Sequence, residues 1–115
     1  MSDNKGYITR AQENGTVLIS EEVLTSIASV AIKEVEGVCG FYGGFGKKPG
    51  KGLKLTLKES SVDIECNIIA LYGHSVVEIA ENIQRMVVSA VENMTGLTVD
   101  AINVNVCGIS TEQPS

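Results

Sequence analysis

No stretch of the sequence is apolar over the roughly 18 residues that a membrane-crossing helix requires, so a helical span is excluded. The opening MSDNKGYITRAQENG lacks the apolar centre of an export signal. The chain is therefore expected to be cytoplasmic, meeting a membrane only through a partner. Histidine occurs once, at His74, which leaves no histidine-based metal cluster to build. The three cysteines, Cys39, Cys66 and Cys107, are odd in number and contain no C-x-x-C pair, so neither a disulfide framework nor a zinc ribbon is encoded. They read as small core thiols in or beside apolar strand patterns, with His74 as a loop residue ahead of a helix. Positive charge is also short. Nine Lys and Arg against 14 Asp and Glu leave a formal charge of −5, a field that repels nucleic acid and anionic lipid unless a local patch reverses it.

What the chain does contain suffices for one core. At 115 residues it is a single domain, able to bury roughly two thirds of its unfolded surface, and 43% hydrophobic with 20% charged residues is ordinary globular composition. Residues 1–14 and 110–115 are polar and aperiodic and read as tails, leaving a domain over 15–109. Ser20 followed by Glu21 and Glu22 is a helix N-cap with carboxylates on the positive end of the helix. Val23, Leu24, Ile27, Val30, Ala31 and Val35 then recur at spacings of three and four, with Thr25, Ser26, Ser29, Lys33 and Glu36 opposite, and Gly37 ends the helix. A short strand is predicted over Val38 to Tyr42, then a mobile glycine-rich loop.

Leu53, Leu55 and Leu57 alternate with polar residues, as do Val62, Ile64, Cys66 and Ile68, so two strands each have one wet face. A turn over Ser60 and Ser61 would set Leu57 against Ile64, Leu55 against Cys66 and Lys58 against Asp63. Ser75 with Glu78 is a capping box. The helix behind it points Val76, Ile79, Ala80, Ile83, Met86, Val87, Ala90, Val91 and Met94 inward and closes at Gly96. Ile27 and Ile83 are expected at the centres of the two helix faces. A last strand runs over about Ala101 to Ile109. The expected fold is α+β: β-α-β-β-β-α-β, with two helices on one face of a small mixed sheet.

Two segments, ISEEVLTSIASVAIKEVEGVCG (19–40) and IQRMVVSAVENMTGLTVDAINVNVCGI (83–109), resemble the two signature blocks of the alkaline shock protein family, envelope-stress proteins of Gram-positive bacteria. The likeness rests on a helix closed by E-V-x-G-V-x-G, a second closed by M-T-G-L-x-V, and the V/I-N-V-x-V strand that follows, and it spans nearly the whole domain. The resemblance implies a non-enzymatic cytoplasmic protein linked to envelope stress or homeostasis, acting as a scaffold through protein contacts, sometimes beside a membrane-anchored partner. It supplies no catalytic residues.

The residues themselves agree that catalysis, cofactors and metals have no evident seat. Glu21, Glu22, Glu34, Glu36, Glu78, Glu81 and Glu92 fall at helix starts or on polar helix faces, where solvated charge belongs. Gly46-Lys47-Lys48-Pro49-Gly50-Lys51 lacks phosphate-loop spacing and precedes a strand rather than a helix. Gly40-Phe41-Tyr42-Gly43 matches an RNA-binding G-x-x-G clamp, yet it does not join two helices. What stands out is a local reversal of charge. Lys47, Lys48, Lys51, Lys54 and Lys58, five of the nine basic residues, lie beside Phe41, Tyr42 and Phe45, three of the five aromatics. One account is a solvated loop whose lysines keep an edge strand from pairing. The other is a docking surface, with Phe41, Tyr42, Phe45, Lys47, Lys48 and Lys51 receiving an acidic protein segment or anionic headgroups. A small RNA-binding or regulatory module using residues 43–52 is the alternative function, although nucleic acid is disfavoured by the net charge. On the second helix, Val77 and Val88 fall together near Gln84, beyond the main apolar face. That flank serves either margin packing inside a monomer or a weak homo-oligomer.

Overall fold

A computed structural model describes residues 7–43 and 52–112. The elements run β1 (Tyr7–Gln12), β2 (Gly15–Ser20), α1 (Glu21–Lys33), β3 (Val38–Phe41), β4 (Leu53–Leu57), β5 (Ser61–Leu71), α2 (Val76–Thr95) and β6 (Thr98–Ser110). Both helices start as their caps dictate. The Ser20 hydroxyl accepts from the Val23 amide at 3.1 Å, and the Ser75 hydroxyl accepts from the Glu78 amide at 3.3 Å.

Two glycines set the turns. Gly37 has φ +96°, and a Cβ there would sit 2.8 Å from Ile79 Cδ1, so a bare backbone lets the exit of α1 close against α2. Gly96, at φ +77°, ends α2 and donates to the Glu92 carbonyl at 2.9 Å. A Cβ on it would meet Arg10 Nε at 2.6 Å, which shows how closely β1 docks on this turn.

The main sheet is built around β5. Antiparallel β3 and β4 lie end to end along one side, pairing with its second and first halves, and β6 runs parallel along the whole of the other. A parallel neighbour needs a crossover, and α2 supplies it. Alternate residues of β5, from Val62 through Ile64, Cys66 and Ile68 to Ala70, are buried beneath the helices. The opposite face carries Asp63, Glu65 and Asn67, followed by half-buried Ile69 and Leu71. The α+β class and the mixed sheet are as expected from the sequence.

Five details differ. Residues 7–12, read as part of a tail, form β1 and pair with β2 as a separate two-stranded sheet, in which Ile8 lies opposite Ile19 and both are buried. Most of this hairpin stands in solvent, with Val17 and Leu18 exposed. At the other end Ser110 belongs to β6. The β4–β5 register pairs Leu55 with Ile64 and Leu57 with Val62, two residues from the expected one. The turn falls on Glu59 and Ser60, closed by the Lys58 amide donating to the Ser61 carbonyl at 2.9 Å. A slip of two keeps every side chain on its face, so apolar alternation alone could not tell the two registers apart.

The last two differences concern the helices. On α1 the buried set is Leu24, Ala28, Ser29, Ala31 and Ile32, continued by Val35, while Val23 and Val30 are exposed and Ile27 is half-buried. The face is turned by about one residue's step of 100°. On α2, Ile79, Ile83, Val87 and Val91 are buried, whereas Val76, Met86 and Met94 are exposed.

Ile83 and Ile32 are both 0% exposed in the shared core. Ile83→Ala or Ile32→Ala is expected to cost about 2–5 kcal/mol of folding stability, and Ile27→Ala clearly less. Denaturant melts of the three variants check the ranking.

Candidate functional site

The basic, aromatic cluster divides when placed on this frame. Phe41 is a core residue, 8% exposed, because β3 pairs it with Ile68 and turns its ring inward. It cannot be a surface anchor. Tyr42, 52% exposed, remains available. Phe45, Lys47, Lys48 and Lys51 lie outside the described residues. Lys54 is exposed on the polar face. The Lys58 ammonium is already engaged, 3.2 Å from Asp63 and 3.1 Å from Asp100. Those hydrogen bonds, to Asp100 first and Asp63 second, raise the Lys58 pKa, and the same contact with help from Ser61 lowers that of Asp100. On an exposed surface such pairing adds little stability.

The two ends of the connection between β3 and β4 meet at one residue. The Tyr42 amide donates to the Asn67 carbonyl at 2.9 Å, and the Asn67 amide donates to the Gly52 carbonyl at 2.7 Å. Tyr42 and Gly52, which flank residues 43–51 in the chain, are thus both held on Asn67 at the junction of β3 and β4.

On the far side of the sheet lies the α2 flank. Val77 is 63% exposed and Val88 half-buried. Gln84 reaches across, its side-chain amide donating to the Ile102 carbonyl of β6 at 3.3 Å. Glu81, Gln84, Arg85, Val88 and Ser89 line a shallow open groove. Glu92, expected to be solvated, instead accepts from the Val99 amide at 3.1 Å. The flank thus borders β6, whose only strand partner among the described residues is β5. Sequence periodicity found Val77, Gln84 and Val88 but gave no sign that a strand edge lay next to them.

The thiols do not form a centre. Cys66 is buried at 0% exposure, and burial pushes its pKa up to about 12. Cys39 is half-buried, its Sγ 3.5 Å from the Glu112 carbonyl. Cys107, expected in the core, is exposed near Asn67 Oδ1 because its position falls on the polar face. Asn105 donates there to Glu65 at 3.0 Å and to Asn67 at 2.8 Å. Among the described residues no group of three or more His, Cys, Asp or Glu is placed to hold a metal ion, and no helix is long and apolar enough to cross a membrane.

A sequence model of the alkaline shock protein 23 family, whose function is described as cell envelope-related, matches residues 9–111. The chain belongs to this family. It is 33% identical over 104 residues to the Bacillus subtilis protein YqhY, covering 83% of this chain and 77% of that one. It is 35% identical over 106 residues to Spy1535 of Streptococcus pyogenes, covering 86% and 82%. A stress response regulator gls24 homolog of Streptococcus pyogenes is 27% identical over 109 residues, covering 86% of this chain and 61% of the regulator. Among solved structures, a variant of the MamM CTD superposes with a TM-score of 0.59 at 16% identity, over 76% of this chain and 96% of that domain. That likeness is one of fold alone. Family membership thus bears out the resemblance drawn from residues 19–40 and 83–109.

The Cys66 thiol makes stability sensitive to alkali. Its ordinary pKa is 9.0, so above that pH the unfolded chain loses a proton that the folded chain holds until about 12. Folding stability from this group therefore falls as pH rises through that window. Urea melts on both sides of pH 9.0 should show a steeper loss for the parent than for Cys66→Ala. In the native protein, a thiol reagent should modify Cys107 well before Cys66.

Proposed function

We propose that this protein serves cell-envelope stress or homeostasis as a non-enzymatic scaffold. It docks an acidic segment of a protein partner, in some settings a membrane-anchored one, on the basic connection at the β3–β4 edge. The observation that supports this most is that Tyr42, exposed, and Gly52, the residues on either side of that connection, are both hydrogen-bonded to Asn67 at the β3–β4 edge. Lys47, Lys48 and Lys51 belong to that connection. With a net charge of −5, attraction of an acidic partner must be local. The envelope-related family and the relative named a stress response regulator supply the physiological setting. Scattered thiols, a single exposed histidine and hydrogen-bonded or solvated carboxylates agree with contact rather than chemistry.

Replacing Lys47, Lys48 and Lys51 with glutamate is expected to leave the melting curve nearly unchanged, since charges in a solvated connection, as the glycine-rich sequence implies, contribute little to stability. It should abolish co-purification of partner proteins from a membrane fraction, as read by mass spectrometry. Capture that survives the triple substitution rejects this surface. Retention on single-stranded RNA that weakens steeply with salt would favour the nucleic-acid alternative. Binding of the pure chain to anionic vesicles would point to headgroups in place of a protein.

A further inference from the structure

We propose that the open edge of β6 receives the β6 of a second copy of this chain, antiparallel, making one continuous sheet across two protomers. This goes beyond the docking of a partner at the β3–β4 edge and does not depend on it, since the two surfaces lie on opposite sides of β5.

Natural proteins guard exposed edge strands with lysine, proline, short length or a covering element. The β3–β4 side follows that rule, with Lys54 and Lys58 near its edge and two short strands. β6 does not. It is 13 residues long, TVDAINVNVCGIS, without lysine or proline. Its single charge, Asp100, is held by Lys58 and Ser61 of the same chain. Apart from irregularities at Asp100 and Cys107 and the α2 side chains that reach Ile102 and Val99, this edge is unguarded, and another strand is its natural complement.

The pattern along β6 indicates that the other strand is its own. Register shifts between Val62 and Asp63 and between Ile68 and Ile69 of β5 fall opposite Val99/Ala101 and Val106/Gly108. Ala101 to Val106 is left as an uninterrupted stretch. Within it Ile102-Asn103-Val104-Asn105-Val106 alternates apolar and polar identically in both directions. An antiparallel copy centred on Val104 sets Ile102 against Val106 and Val104 against its twin on the helix side, and Asn103 against Asn105 on the polar side. Cross-strand pairs of like polarity are what stabilise such a junction.

The helix above the edge is also self-complementary. Hydrogen bonds from Gln84 to Ile102 and from Val99 to Glu92 hold this flank of α2 along β6. Two-fold pairing of the strands brings two antiparallel α2 flanks together. Glu81 of one copy then lies near Arg85 of the other, with Val77 and Val88 contributing apolar surface beside them. The net charge of −5 on each copy opposes association and keeps it modest.

Sedimentation equilibrium of the purified chain is expected to show a reversible dimer forming below about 1 mM. Asn103→Lys with Asn105→Lys places two cations on the edge, close to Glu65 of the same chain, so folding by circular dichroism should be kept. Dimerisation should weaken at least about tenfold. Glu81→Arg alone should weaken it too, and adding Arg85→Glu should restore it, a readout that holds even where the lysine variant does not fold. A parent that stays monomeric to about 1 mM overturns the proposal, as does a folded lysine variant or a Glu81→Arg variant with unchanged association.

Discussion

Everything in this molecule depends on β5 being dry on one face and paired on both edges. Val62, Ile64, Cys66, Ile68 and Ala70 are all at most 1% exposed, and the helices exist to cover them. Leu24 and Ile32 of α1, and Ile83 and Val87 of α2, complete the same core from above. Each buried aliphatic side chain contributes about 1.5–3 kcal/mol relative to exposure. Neither a short β3 nor a short β4 could hold its place without the ladder to β5. Because α2 is the crossover between two parallel strands, its position over the sheet follows from the same pairing.

Residues that mark the chain as a family member have largely structural duties here. Gly37 lets the end of α1 approach Ile79, and Gly96 turns the chain from α2 into β6 while admitting Arg10. Leu97, 1% exposed, plugs the core just beyond that turn. Thr95 donates to the Val91 carbonyl at 2.6 Å and accepts from the Leu97 amide at 3.1 Å, tying the two elements together. A motif of this kind transmits a fold. That is why a family can be read from it while the work of a given member resides in surfaces the motif does not describe, and why likeness to the MamM CTD at 16% identity carries no function across.

The two edges of the sheet differ in chemistry. One has short strands, lysines near its border and a connection rooted on Asn67, features that discourage strand pairing and suit charged side-chain contacts. The other is a long strand bordered by a helix flank bearing Glu81, Arg85 and exposed Val77. Separating the surfaces across β5 leaves each free to be occupied without blocking the other.

The sequence by itself determined the elements whose causes are local. Ser20 and Ser75 cap helices because a hydroxyl one turn before an amide satisfies it wherever the helix packs. Alternation assigned the faces of β4 and β5, and the family followed from residues 19–40 and 83–109. Tertiary structure decided what local pattern leaves degenerate. Helix α1 is apolar around much of its circumference, so only packing against α2 and the sheet could choose Ala28 and Ile32 over Val23 and Val30. Strand β1 has no alternation of its own and is ordered by pairing with β2 and by burial of Ile8. Phe41 and Cys107 exchanged their expected environments because side-chain direction in a strand depends on register, and register is a property of the pair. The juxtaposition of Gln84 with the edge of β6, 18 residues away in the chain, required the parallel crossover to be in place.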